Sequence, residues 1–413
     1  MKPLLPFISL TAATLWLNLV VAYNDTLCQL ERSMWMDNYR EFHRAHRGAN
    51  GSRYLVYHCG YGAINGDRNT CAGTGDRVRG MLYMLRVAAV HQMVFLAKWS
   101  NPTNLTVFLE PNEIDWRPDG LPEDVISKIG KDYNTFEDKD FLSLAEKGHN
   151  LDKWNETRIH TTTAWPASIV DHRIWGTQLW PDSGFLTLLG PLGGVPHDKE
   201  QRWIMEFNWY IDISSCWWHF AFKPTAAVVQ KAQNSIEVAY ALQPNTTPPV
   251  FTAWHWRTGG QHGEMGIIRE ESKEFFRSRM QQMMASINCA RAMALYHAVS
   301  APLLVVTDLN PFRKWIRSGA MGSAVTTLPS VAQHVNQGDG HLDAYIDVLA
   351  DALVLSRAKC LLISQSGFSN TALMMRTGPL CYEHMDVCLR QQESFFESVR
   401  VRHQAFSRKV RLR

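Results

Sequence analysis

From residue 250 to residue 375, short apolar runs alternate with longer stretches of helical spacing. That rhythm is met by a parallel sheet whose strands are joined by crossover helices, the doubly wound α/β arrangement. The run from Val250 to Trp256 predicts a strand, and residues from about Glu270 to Val299 a long helix. Leu303 to Thr307 predicts a second strand, followed by a short helical segment and a helix over about Asp343 to Arg357. Cys360 to Ser364 predicts a third strand, with a helix opening at Asn370 to Met375. Sheets of this kind bind ligands beyond the carboxyl ends of their strands. Three polar clusters fall there: His255-Trp-Arg257-Thr-Gly259-Gly260, Thr307-Asp308, and Ser364-Gln-Ser366-Gly-Phe368-Ser369.

The N-terminal half shows one unit of the same design. Tyr54 to Tyr57 reads as a strand, and a loop rich in glycine, asparagine and cysteine closes with Gly75-Asp76-Arg77-Val-Arg-Gly80. An apolar helix follows from Met81, and Met93 to Ala97 suits the next strand. Residues 117 to 249 hold no sustained period, although Ile204 to Phe222 and Ala226 to Leu242 both admit helices. Gln243 to Pro249 carries three prolines and an Asn-Thr-Thr sequon, which marks a linker. The expected division is a Rossmann-like domain over 23–243, a second over 250–399, and a basic tail over 400–413.

Residues 1–22 set the compartment. Lys2 precedes an apolar segment over 4–22 that ends in Val20-Val-Ala22, which fits a cleaved signal peptide or an uncleaved type II membrane anchor. Five sequons, at Asn24, Asn50, Asn104, Asn155 and Asn245, agree with the lumen of the secretory pathway (Golgi or endoplasmic reticulum) or with secretion. Eight cysteines then point to disulfides, whose pairing the spacing leaves open. The net charge of +3 is concentrated in the tail, where Arg400, Arg402, Arg408, Lys409, Arg411 and Arg413 meet no acid, so the body is net acidic. A nucleic-acid-binding body is excluded on that balance. Fifteen tryptophans suit either a large core or a sugar-binding platform.

Each cluster suggests a chemistry. Arg257 supplies the planar fork that matches phosphate oxygens, and the glycines beyond it admit close backbone approach. His255 is either a ligand contact or a satisfied core histidine. Asp308 suits a ribose or a guanine, or a helix cap. Ser366 and Ser369 lie at a helix start, where backbone N–H groups favour a phosphate, and Asp76-Arg77 repeat that design in the first domain. Glu264 suits a general base acting on an acceptor hydroxyl. Asp138-Lys-Asp140 is the one acidic pair with the look of a metal site, but it sits in a charged run and not at a strand end; no metal and no cofactor are expected.

Taken in order, Gly75-Asp-Arg-Val-Arg-Gly80, His255-Trp-Arg257-Thr-Gly259, Thr307-Asp308 and Ser364-Gln-Ser-Gly-Phe368-Ser369 resemble the GDP-fucose-dependent fucosyltransferase superfamily, with its α1,2-, α1,6- and protein O-fucosyltransferases. The resemblance implies a GT-B fold, two facing Rossmann-like domains with a cleft between them. It also implies inverting, metal-independent transfer of fucose from GDP-fucose to a glycan or glycoprotein. By position, Arg257 would hold the donor β-phosphate, Asp308 the guanine, and His255, Ser366, Phe368 and Ser369 the rest of the donor pocket. Asp76 and Arg77 would reach donor or acceptor from the other domain, and Glu264 would be the base. The motif here ends in Gly259-Gly260, where several relatives carry an acidic residue. That departure keeps open a catalytically inactive, glycan-binding member of the fold, beside a transferase for another nucleotide sugar.

Overall fold

A computed structural model describes residues 28–59, 73–99, 103–129, 159–162, 199–258, 273–331, 342–364, 366–378 and 381–390. The chain divides into two compact units. The first comprises residues 1–228, 335–342 and 370–379, and the second residues 229–334, 343–369 and 380–413.

In the first unit, β1 (Tyr54–Cys59) lies between β2 (Val94–Trp99) and β4 (Ile159–Thr162), all parallel. Every residue of β1 is buried, as expected of a strand covered on both faces. β2 is an edge strand, and its open side is closed by side chains from α1 (Asp37–His46). Tyr39 donates its hydroxyl to the Met93 carbonyl (2.8 Å) and accepts from the Phe95 N–H (3.0 Å), while His43 Nε2 meets the Phe95 carbonyl at 3.0 Å. The Trp116 carbonyl takes the next free N–H, from Ala97, at 2.9 Å. These edge groups thus find partners in side chains and loop, and among the described residues no further strand pairs with them.

The crossover helix α2 (Thr74–Val90) begins seven residues before the apolar pattern does, so Asp76 and Arg77 lie inside its first turn and not in a loop ahead of it. The cause is local: the Asp76 carboxylate accepts the Gly73 N–H (3.3 Å) and so serves the helix start. Gly80 lies where α2 crosses β1. A Cβ there would stand 2.8 Å from Tyr57 Cε2, so only glycine lets helix and strand approach this closely.

Two further helices follow: α3 (Glu123–Ile126), which contributes Val125 to the core of β1 and β2, and α4 (Lys199–Ala221), which packs against α2. Beyond α4, β5 (Phe222–Pro224) pairs antiparallel with β3 (Leu109–Pro111). Cys28 is bonded to Cys216, and beside it the buried Glu31 carboxylate accepts both Trp35 Nε1 (2.7 Å) and Trp217 Nε1 (2.6 Å). Trp99, Trp116 and Trp218 are also buried. Trp35, Trp99, Trp116, Trp217 and Trp218 are therefore core residues and offer no sugar platform.

The second unit holds a five-stranded parallel sheet in the order β10-β9-β6-β7-β8. Its strands are β6 (Thr252–Trp256), β7 (Leu303–Thr307), β8 (Val325–Thr327), β9 (Cys360–Ile363) and β10 (Tyr382–His384). The helices are α5 (Ala226–Ala239), α6 (Lys273–Tyr296), α7 (Asn310–Arg317), α8 (Leu342–Ser356) and the opening turn of α9 (Gly367–Met374), whose residues from Asn370 are counted with the first unit. The α/β class and the doubly wound sheet read from the sequence are therefore present. Two bonds cross-link this unit, Cys289–Cys388 and Cys360–Cys381.

Three details differ from the sequence reading. The three-residue strands β8 and β10 carry no readable period. α9 opens at Gly367 and not near Asn370, because Ser366 Oγ accepts the Phe368 N–H (3.2 Å) and starts the helix early. Residues 243–249, expected to join two domains, lie inside the second unit, since α5 is held there. Lys231 pairs with Asp347 (3.0 Å), Tyr240 donates to the Pro302 carbonyl (3.1 Å), and Thr326 donates to the Ala239 carbonyl (2.6 Å).

Two outcomes follow for stability. Gly80→Ala should cost about 1–3 kcal/mol by forcing α2 off Tyr57, and Tyr57→Leu should recover part of it; an unchanged melting temperature in Gly80→Ala would mean that the ring yields freely. His43 is held neutral by burial, with its pKa lowered from 6.5 to about 4. Between those values the unfolded chain binds the proton and the folded one does not. Stability is therefore full above pH 6.5 and lost as pH falls toward 4, by about 1.4 kcal/mol per pH unit. Replacing His43 by Gln should flatten that slope in unfolding measured from pH 7 to pH 4.

Candidate functional site

Strand order locates the site. From β6 the chain builds outward through β7 to β8, then returns to the other flank of β6 to lay down β9 and β10. The connections therefore diverge between β6 and β9, and the crevice outside their carboxyl ends is the place where sheets of this class take ligands. Arg257 directly follows β6, Ser364 directly follows β9, and Asp308 directly follows the neighbouring β7. The three clusters singled out in the sequence are thus brought to one sheet edge.

β6 divides its residues by face. Trp254 and Trp256 stack at 5.4 Å and pack with Phe312 of α7 and with Met283 and Ile287 of α6. His255 faces the opposite side, 5.1 Å from the Phe368 ring. Its Nδ1 lies 2.6 Å from Ser369 Oγ, and that hydroxyl donates to the Ser364 carbonyl (3.1 Å). Because the single hydroxyl proton is used there, the Nδ1–H of a neutral imidazole is the donor to Ser369. Burial, then the charges of Arg257 and Arg313, lower the His255 pKa to about 3, so the ring stays neutral at physiological pH. His255 and Ser369 are both buried and serve each other. Phe368 and Ser366 are partly exposed at the start of α9.

Arg257 is gripped from two sides. Its N–H donates to Ser364 Oγ at 3.0 Å, which ties β6 to β9 beyond the last strand pair. Its Nε lies 3.6 Å from Asp308 Oδ2. The other carboxylate oxygen, Asp308 Oδ1, accepts the Thr258 N–H (2.7 Å) and the Thr258 hydroxyl (2.9 Å). The edge therefore offers a guanidinium whose side chain is 30% exposed, beside the amino end of a helix. Both favour an anion.

Beneath this edge lies a fully paired buried charge. Arg313 of α7 donates Nε to the Thr307 carbonyl (2.6 Å), Nη1 to the Ser330 carbonyl (3.0 Å) and hydroxyl (2.8 Å), and Nη2 to Asp351 Oδ2 (3.0 Å). Ser330 also donates to Asp351 Oδ1 at 2.8 Å. Burial pushes the Asp351 carboxyl above the usual carboxylate range, and the Arg313 charge opposes it. Neither this pair nor the contributions of Thr258 and Ser364 figure among the expected site residues. Asp351 did leave a signal, as a lone acid within Val348-Leu-Ala-Asp-Ala-Leu-Val354.

In the first unit, Asp76 pairs with Arg79 (2.6 Å), and the fully buried Arg77 places its guanidinium 4.9 Å from the centre of the Trp99 ring. Glu264, Gly259-Gly260, Asp138-Lys-Asp140, the 4–22 segment and the basic tail lie outside the described residues. Among the described residues, one group of potential metal ligands occurs, His297 with Cys360 and Cys381, and its two sulfurs are already bonded to each other. No described helix is long and apolar enough to cross a membrane. Asn50, Asn104 and Asn245, the described sequons, are all exposed.

No protein-family model and no curated protein matches the chain. Among solved structures, a point mutant of Arabidopsis thaliana FUT1 in complex with GDP aligns with a TM-score of 0.45 and 11% identity, over 84% of this chain and 77% of that one. NodZ alpha-1,6-fucosyltransferase soaked with GDP-fucose aligns with a TM-score of 0.36 and 9% identity, over 79% and 93%. These likenesses assign no residue a role.

The buried pair yields a stability prediction. Arg313→Met alone should cost about 3–5 kcal/mol by stranding Asp351, and Arg313→Met with Asp351→Leu should recover most of that loss. Denaturant unfolding decides it, and equal losses in the single and double variants would show that the pair is not the unit.

Proposed function

We propose that this chain is an inverting glycosyltransferase that moves fucose from GDP-fucose to a hydroxyl of a glycan or glycoprotein without a metal ion. The observation that carries the reading is the convergence of Arg257, Ser364 and the start of α9 at the crevice where the sheet's connections diverge. The motif resemblance then narrows an anion site to a GDP-fucose site.

In the proposed reaction the acceptor oxygen attacks the anomeric carbon, the bond from that carbon to the β-phosphate oxygen breaks, and GDP leaves with the electron pair. The Arg257 guanidinium and the helix start at Ser366 would stabilise the charge that grows on the leaving diphosphate. Phe368, and His255 behind it, would border the nucleoside. The proton of the acceptor hydroxyl needs a base, and Glu264 is the candidate by position in the sequence. The resemblance gives the acceptor side to the N-terminal unit, where Asp76 would reach donor or acceptor; Arg77, expected to do the same, is instead buried against Trp99. Disulfides at three described pairs and exposed sequons favour an oxidising, luminal setting for this chemistry.

Incubating the purified chain with a panel of sugar nucleotides and measuring nucleotide release tests the reading. GDP-fucose should be turned over in the presence of a chelator, and Arg257→Ala should lose about 100-fold or more in rate. GDP-fucose binding without turnover would select the inactive glycan-binding alternative. Preference for another donor would remove the fucose assignment, and unchanged turnover in Arg257→Ala would remove the diphosphate clamp.

A further inference from the structure

We propose that Asp308 is a positioning residue, which sets the Arg257 guanidinium for the ligand's diphosphate and does not itself read the base. The proposal rests on the nucleotide-sugar reading of the site and changes the part that the family resemblance gives this carboxylate.

Three observations carry it. Both oxygens of Asp308 already face protein donors: Oδ1 takes the N–H and the hydroxyl of Thr258, and Oδ2 faces Nε of Arg257. The side chain is only 10% exposed, against 30% for Arg257, so solvent reaches the guanidinium more freely than the carboxylate. The backbone of Arg257 is fixed from the opposite flank by Ser364, so the Asp308 contact acts on the side chain of a residue whose main chain is already held. A base reader needs acceptor capacity directed at the ligand; here Oδ1 is taken by the two donors of Thr258, and Oδ2 faces the Arg257 guanidinium. A guanidinium held at the Nε side loses rotamer freedom before any ligand arrives, which lowers the entropy lost on binding.

The experiment has an arm that needs no ligand. Arg257 is modified with phenylglyoxal in the intact chain and its adduct quantified by peptide mass spectrometry. Asp308→Asn, which keeps size and an acceptor for Thr258, should raise the rate at Arg257 about threefold, and Asp308→Glu should stay nearer the parent. Equal rates in parent and Asp308→Asn would overturn the proposal, whether or not any nucleotide binds. If Asp308→Asn melts early, Thr258→Val reports on the same brace, since it removes only the hydroxyl from Oδ1, keeping the residue-258 N–H there and Oδ2 on Arg257; its rate should stay near the parent's, and a rise matching Asp308→Asn would overturn the proposal.

The second arm measures binding of GDP and ADP by calorimetry in the parent, Asp308→Asn, Arg257→Ala and the double variant. Asp308→Asn should weaken both diphosphates by the same factor, about fivefold, and add no loss once Arg257 is gone. Weakening confined to GDP, or additive with Arg257→Ala, would make Asp308 a base reader. A parent that binds no nucleoside diphosphate would sink the proposed function and leave the phenylglyoxal result standing on its own.

Discussion

The carboxyl edge of the second sheet depends on one buried guanidinium. Arg313 is 2% exposed and joins four pieces of chain: the end of β7 through Thr307, its own helix α7, the segment after β8 through Ser330, and α8 through Asp351. Removing such a charge from water costs several kcal/mol, and the arrangement is tolerable only because the N–H donors of Arg313 and the oxygens of Asp351 find partners. The return is geometric. The Thr307 carbonyl is pinned one residue before Asp308, so the direction in which Asp308 leaves the strand is set from below. An apolar core at the same place would fill the space and leave the strand end free to twist.

On that base the edge is assembled by short polar bridges between strand ends. β6 and β9 part beyond their last pair, and there Ser364 Oγ takes the Arg257 N–H. β6 and β7 are bridged by Asp308 and Thr258. The connections on the two flanks of β6 run away from each other, which leaves a crevice outside the ends of β6 and β9. The residues that keep the crevice open are the ones that line it. His255 belongs to the same logic: buried and neutral, it anchors Ser369 and so the first turn of α9, without adding a second charge beside Arg257. A protonated ring there would repel both Arg257 and Arg313.

Much of this was legible in the sequence because strands buried on both faces read as unbroken apolar runs. The runs ending at Trp256, Thr307 and Ile363 gave the strand ends, and therefore the clusters, directly. Helix starts were legible only where apolar period and cap coincide. At α2 the cap precedes the period by two turns, and the buried Arg77 and Gly80 disguise a core-facing surface as a polar loop, since a guanidinium over Trp99 and a missing Cβ do not look apolar. Strands of three residues are too short to show alternation. The edge cover of β2 was out of reach for another reason: Tyr39 and His43 look like ordinary members of an amphipathic helix until the strand beside them is known. The same holds for Arg313, whose partners come from residues 307, 330 and 351.

The site also shows why a sequence motif and a chemical role can part company. Arg257 and Asp308 are 51 positions apart and can be matched to a family pattern independently, which invites a separate ligand contact for each. In the folded chain they are neighbours, and a carboxylate that faces a guanidinium lowers the positive potential available to a diphosphate even as it fixes where that potential points. The two effects oppose each other. Orientation wins when the carboxylate is more buried than the guanidinium and held by other donors, because the ligand then meets the cation first and Asp308 is restrained by Thr258. The exposures of 30% and 10% and the paired contacts to Thr258 put this edge in that regime. A reversed order of burial would instead make the acid the first group an incoming anion meets, and the same two residues would form a closed surface ion pair with little to offer a phosphate.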